Sequence, residues 1–252
     1  MTIDLSNLNI LVTGASRGIG RAICKQLAIS GARLAIHYNQ QSDEANKLAR
    51  EVGNKSIAFK ADLTHPKDAI QLYNDVIEEF GHLDVLINNA GIALSTEIDT
   101  DDLVWIAAWR QTMQVNLEAC ALLTKKIIPQ FISRGGGIII NIASRAAFRG
   151  DTSDYLAYAA SKGGMVAFTR SIARAYGKQN IKAFTIAPGF VRTDMAQEFM
   201  DQYGESYALD DIALSQLTQP QDLAPIITLL ASGMADHATG CTIDVNAGSY
   251  VH

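Results

Sequence analysis

Asn9-Ile10-Leu11-Val12-Thr13-Gly14-Ala15-Ser16-Arg17-Gly18-Ile19-Gly20 is the stretch on which the fold turns. Asn9 to Val12 reads as a short buried strand. A helix follows to about Ser30, because Ile19, Ile23, Leu27 and Ala28 recur at helical spacing. Between them the glycines stand as Gly-x-x-x-Gly-x-Gly, which differs from the Gly-x-Gly-x-x-Gly dinucleotide fingerprint. Glycine lets a backbone turn tightly and approach a pyrophosphate, whose charge is met by the orphan N–H groups at a helix start. In isolation the cluster fits a plain tight turn nearly as well. Its place between a first strand and a first helix favours nucleotide binding.

Outward from this turn, strand and helix alternate. Apolar runs predict strands over 10–13, 33–37, 56–60, 85–88, 137–142, 182–187 and 242–245. Periodicity predicts helices over 18–30, 43–52, 67–80, 101–131, 155–177 and 221–232. Such alternation calls for an α/β fold: a Rossmann-type, doubly wound parallel sheet of about seven strands with helices on both faces. No repeat, low-complexity tract or linker divides the 252 residues, so one dinucleotide-binding domain over 1–252 is expected. A hydrophobic share of 48% can bury a sheet on both faces, and 19% charged residues argue against disorder. The net charge of -5 offers no broad basic surface, so no nucleic-acid partner is expected. Three scattered cysteines, Cys24, Cys120 and Cys241, lack metal-ligand spacing and fit core thiols in a reducing compartment; no metal site is expected. The start, Met1-Thr2-Ile3-Asp4-Leu5, has no basic region before an apolar one, and no run is apolar enough to span a membrane. A cytoplasmic protein without a membrane partner is the expectation.

The chemistry concentrates in Tyr158-Ala159-Ala160-Ser161-Lys162. Four residues apart on a helix, Tyr158 and Lys162 project from one face. A phenol is a poor acid or base at neutral pH, and an ammonium one turn away is expected to lower its pKa. Ser144 ends the apolar run 137–143, where a hydroxyl at the carboxyl end of a parallel strand faces the ligand crevice. Tyr155 is excluded from this role, since Ala159 and not a lysine lies four residues beyond it. Leu86-Ile87-Asn88-Asn89-Ala90-Gly91 is another apolar run ending in small and polar residues. Asn116 lies within the helical stretch 101–131, and Ile181 to Ala187 leads into Pro188-Gly189-Phe190-Val191-Arg192-Thr193.

Taken together, Thr13 to Gly20, Asp62-Leu63, Asn88 to Gly91, Asn116, Ser144, Tyr158-x-x-x-Lys162 and Pro188-Gly189 closely resemble the short-chain dehydrogenase/reductase family, in its order and intervals. The likeness covers essentially the whole chain and is nearest to the 3-oxoacyl-acyl-carrier-protein reductase branch. It implies a catalytic tetrad of Asn116, Ser144, Tyr158 and Lys162 that moves hydride between a nicotinamide cofactor and a carbonyl or secondary alcohol. Tyr158 is then the general acid/base, Ser144 a second donor to the substrate oxygen, and Lys162 a holder of the nicotinamide ribose. Asn116 is implied to break its helix and carry a water towards Lys162. The implied cofactor contacts run through Gly14, Ser16, Arg17, Gly18, Ile19 and Gly20 at the turn, and Tyr38 and Asn39 after the second strand. Asp62 and Leu63 would flank adenine, Asn89, Ala90 and Gly91 its ribose. Pro188, Gly189, Val191 and Thr193 would meet the nicotinamide, with Thr193 also fit to cap the next helix.

An acidic residue after the second strand would accept bonds from the ribose of NAD, but Tyr38 stands there and nothing acidic precedes Asp43. Arg17 suits a 2′-phosphate, so NADP(H) is favoured and NAD(H) stays open. The expected partner is a small-molecule carbonyl or alcohol. The alternatives are an NAD-dependent sugar or alcohol dehydrogenase and a non-catalytic nucleotide sensor of the same fold. Segments 145–154 and 190–218 are the expected pocket and lid, with Phe148, Phe190, Met195 and Phe199 making it apolar; Arg145 and Arg149 are placed to greet an acidic substrate, but solvated loop cations are the preferred reading. The family resemblance implies a homotetramer. The stripe Trp105, Trp109, Met113, Leu117 and Cys120 fits a core or an interface face equally.

Overall fold

Seven apolar runs lie side by side in one parallel sheet: β1 (Asn9–Val12), β2 (Arg33–Tyr38), β3 (Ile57–Lys60), β4 (Val85–Asn88), β5 (Gly137–Ile142), β6 (Ile181–Pro188) and β7 (Thr242–Val245). The computed structural model describes residues 3–251, and the backbone alone for Met195, Glu198, Phe199, Gln202, Tyr203 and Glu205. Strand order is 3-2-1-4-5-6-7. Ile10 sits opposite Leu34 on one side and Val85 on the other, so the order reverses beside β1. Carboxyl strand ends at such a switch point part to leave a crevice.

Among the described residues ten α-helices accompany these strands: α1 (Gly18–Ile29), α2 (Ser42–Val52), α3 (Pro66–Phe80), α4 (Asp102–Met113), α5 (Ala119–Arg134), α6 (Ala146–Arg149), α7 (Leu156–Tyr176), α8 (Asp194–Tyr203), α9 (Glu205–Asp210) and α10 (Pro220–Ala231). Successive strand side chains point to opposite faces. Ile10 and Val12 therefore pack with Ile23 and Leu27 of α1 and Leu223 and Ile227 of α10, while Leu11 packs with Leu72, Leu123 and Ile172 beneath α3, α5 and α7. Burial of each such side chain contributes roughly 1.5–3 kcal/mol. Among the described residues no helix is long and apolar enough to cross a membrane.

Three departures from the sequence expectation bear on the site. The single helix expected over 101–131 is two, joined by a π-helical turn at Gln114–Glu118, and the second runs on to Arg134. The wider turn carries Asn116 inward, where its amide binds both the N–H and the C=O of Ile92 at 2.8 and 2.9 Å. Second, 145–154 and 190–218 contain α6, α8 and α9, helices too short to show a period in sequence. Thr193 caps α8 through its hydroxyl, which accepts from the Ala196 N–H at 3.3 Å. Third, the stripe on 105–120 divides. Cys120 is buried against Ala143, Met165 and Val166, and Leu117 packs on them, while Trp105 and Trp109 stack 5.3 Å apart and half-buried. On α4 only Thr112 is buried, and Leu103 and Val104 are exposed.

Candidate active site

The glycine turn is knitted to its surroundings by backbone groups. Gly14 has φ 62°, and its N–H donates to His37 Nδ1 at 3.0 Å. His37 Nε2 lies 3.1 Å from the Ala61 carbonyl, so the neutral ring donates there and accepts from Gly14. Burial holds this histidine down at about 4. Thr13 Oγ1 accepts from the N–H groups of both Asn89 and Ala90 at 3.0 Å, and Asn89 Nδ2 donates to the carbonyls of Thr13 and Gly14. A methyl at Gly20 would stand 2.6 Å from Asn89 Nδ2 and 2.8 Å from Ala15 Cα, so only hydrogen fits. No side chain caps α1, whose first N–H groups have no partner within the helix. Thr13 and His37 were not predicted as holders of the turn; a histidine inside the apolar run of β2 was the available signal.

One cleft of about 360 Å³ joins this turn to the tetrad, lined by Ile19, Asn89 and Gly91 at one end and by Ser144, Tyr158 and Lys162 further in. Pro188, Gly189, Val191 and Thr193 form another wall. Ser16 and Gly18 are half-buried within the turn, as is Ala90 beside it. Asp62 accepts from the Thr64 N–H and hydroxyl at 3.0 and 2.7 Å, Leu63 is buried, and Asn39 is exposed. The Tyr38 hydroxyl lies 3.3 Å from Ser42 Oγ at the start of α2. Arg17, expected to face a phosphate, makes an exposed 2.8 Å ion pair with Asp194 of α8.

Three members of the tetrad converge. Ser144 lies two residues past β5, accepts from the Ala146 N–H at 3.1 Å, and lines the cleft with Tyr158. Lys162 Nζ donates to the Ile142 carbonyl at 2.8 Å and stands 5.7 Å from the centre of the Tyr158 ring. Asn116 reaches the group through Ser161, donating to its hydroxyl at 3.0 Å, while Ser161 donates to the Tyr158 carbonyl at 2.7 Å. The spacing of Tyr158 and Lys162 predicted a lowered phenol pKa, and the structure differs. Burial pushes the phenol up to about 12, against the nearby Ser144 hydroxyl that lowers it and with the Asp151 charge that adds to the rise. Burial likewise holds Lys162 down to about 8. Both groups sit where desolvation disfavours charge more than neighbours restore it.

Arg145 is not the solvated loop cation expected, while Arg149 is exposed and paired. Arg145 is 8% exposed, ion-paired with Asp211 just past α9, and its guanidinium carbon stands 4.5 Å from the Phe190 ring centre. Arg149 joins the same carboxylate at 2.9 Å. Phe148 stacks on Tyr250 at 6.3 Å. The expected contributions of Met195 and Phe199 to the pocket lie outside the described side chains.

Residues 8–204 match the family model described as short chain dehydrogenase. The chain belongs to the short-chain dehydrogenase family. Within it, the chain is 33% identical to the 3-oxoacyl-(acyl-carrier-protein) reductase FabG of Staphylococcus epidermidis over 97% of its own length and all of the relative's. To the FabG of Staphylococcus aureus it is 34% identical, over 96% and 97% of the two chains. A solved structure of a putative gluconate dehydrogenase from Agrobacterium tumefaciens superposes with a TM-score of 0.91 at 28% identity over the whole of both chains. This short-chain dehydrogenase is therefore an NAD(P)-dependent oxidoreductase acting on CH–OH or C=O groups, in the branch that resembles the 3-oxoacyl reductases.

Proposed function

We propose that the enzyme is a cytoplasmic, NADP(H)-preferring reductase of a small-molecule carbonyl in which Tyr158 hands the proton to the substrate oxygen. One observation carries this reading: Ser144, Tyr158 and Lys162 line a single cleft, with Lys162 buried and its Nζ 5.7 Å from the centre of the Tyr158 ring. A phenol held near 12 stays protonated at neutral pH, as a proton donor must. Ser144, anchored by the Ala146 N–H, keeps its own proton free to orient the carbonyl and to meet negative charge as it develops. Asn116 and Ser161 tie the π turn to the Tyr158 backbone and so fix where the phenol stands.

The residues present suit a dinucleotide. Gly14, Gly18 and Gly20 leave room at the turn, and the free N–H groups of α1 suit a pyrophosphate. Asp62 and Leu63 would flank adenine, Asn89, Ala90 and Gly91 the adjoining ribose, Lys162 the nicotinamide ribose, and Val191 and Thr193 the carboxamide. When bound, the nicotinamide supplies hydride to the carbonyl carbon. Tyr38 and Asn39 present no carboxylate to a ribose, and Arg17 is tied only by an exposed pair that a 2′-phosphate can replace. The segment 190–218 serves as the lid, because Val191 and Thr218 form a bridge that brings its two ends together. A homotetramer accounts for the exposed Leu103 and Val104 of α4.

Ser144→Ala tests the site. Its loss is expected to lower kcat about 10²-fold or more with cofactor affinity held. Unchanged turnover of carbonyl substrates by the folded variant contradicts the reading.

A further inference from the structure

Next to the tetrad lies a second set of charges that proton delivery does not use. Arg145 follows Ser144 directly, and Arg149 comes four residues later at the end of α6, so both side chains leave one helical face. Both line the cleft. Phe190, 4.5 Å away, orients the Arg145 fork, and a guanidinium cannot shed its charge in this setting. The two converge on one carboxylate: Arg149 Nη1 is 2.9 Å from each oxygen of Asp211, and Arg145 Nη1 meets Oδ2. Among the described residues no other side chain is hydrogen-bonded to the Asp211 carboxylate, which belongs to the lid proposed above and not to the sheet. The other carboxylate that bears on both arginines is Asp151, which also lines the cleft and whose pKa burial raises, against the pull of the two guanidinium groups.

We infer that Arg145 and Arg149 form a carboxylate-binding subsite of the substrate pocket, with Asp211 as its resident occupant, and that the substrates are oxo acids. The inference rests on the carbonyl reduction proposed above and names its substrate class. A buried arginine that loses its partner is costly, so whatever displaces Asp211 must bring a negative charge. An incoming carboxylate exchanges one anion for another and presents the fork–fork geometry guanidinium favours. A neutral ketone leaves Asp211 where it is and gains nothing from either arginine. The reaction balances without further reagents: the C=O carbon takes hydride from the reduced cofactor, its oxygen takes the Tyr158 proton, and the carboxylate is unchanged.

The test compares kcat/KM for pyruvate, acetoacetate and levulinate, each beside its ethyl ester, with NADPH as reductant. Calorimetry of butyrate binding to the cofactor-loaded enzyme runs in parallel. At least one acid is expected to exceed its ester by about ten- to a hundredfold, the worth of a bond to a charged group. Arg145→Met should erase that ratio and the butyrate signal, and Asp211→Asn should raise the acid's kcat/KM by removing its competitor. If Arg145→Met does not fold, Arg149→Met reads the same ratio. Acids and esters within twofold of one another in all three pairs, with butyrate bound equally by both proteins, overturn the inference. So does an Asp211→Asn variant that slows acid and ester alike, which makes Asp211 a lid latch only. Butyrate binding that Arg145→Met abolishes, without turnover of any acid, supports the subsite and counts against the reduction instead.

Discussion

On the β1 side of the cleft Thr13 takes the N–H groups of Asn89 and Ala90, and His37 takes that of Gly14, all at 3.0 Å. On the other side, 190–218 meets the body through the Arg17–Asp194 pair, the arginines on Asp211 and the N–H groups of Ala213 and Leu214 on the Ala247 carbonyl. The first set consists of buried or half-buried bonds to backbone that no ligand replaces. The second adds side-chain ion pairs to two backbone bonds, and the exposed Arg17–Asp194 pair is worth about 0–1 kcal/mol. The contrast assigns the two regions different tasks. The cradle is built before the cofactor arrives, while 190–218, on the lid reading proposed above, is held in part by charges that an anionic ligand can take over.

Gly20→Ala attacks the cradle most severely. Its methyl would press on Ala15 and Asn89, at the cost of about 3 kcal/mol in urea unfolding and with NADPH binding weakened in fluorescence titration. A stable variant with unchanged affinity breaks the claim that the cradle is rigid. Acid should find the cradle next. His37 has its native pKa lowered to about 4 from 6.5, so its contribution is full above pH 6.5 and is lost as pH falls towards 4. Wild type should lose on the order of 2 kcal/mol more than His37→Asn between pH 7 and 4.5. Parallel curves contradict the bond between His37 and Gly14. The smallest effect on stability belongs to Arg17→Ala, under about 0.5 kcal/mol, since its pair is exposed. The same variant should lose about tenfold in NADPH affinity and little in NADH affinity. Loss of both in equal measure removes Arg17 as the discriminator.

The same contrast governs how much could be read from sequence. Apolar runs placed all seven strands within a residue or two, because a parallel sheet buried on both faces leaves no polar ambiguity. The π turn at Asn116 came from family resemblance alone; nothing in the period of 101–131 marks it. Arg145 was misread for a plainer reason: its anion lies on the lid, and the neighbouring Arg149 pairs with that residue across 62 positions. His37 was passed over because its partners are backbone atoms, which every residue carries. Residue types and family resemblance together named the four residues proposed as the tetrad, but the balance of burial over charge that lifts Tyr158 to about 12 was not legible.

The most direct measurement is a stopped-flow comparison of wild type and Tyr158→Phe, each loaded with one equivalent of NADPH and mixed with a carbonyl substrate. The account predicts that both proteins bind NADPH within about twofold, and that the variant, lacking the Tyr158 proton, oxidises it about 10³-fold more slowly. A folded Tyr158→Phe protein that consumes NADPH at the wild-type rate would contradict it.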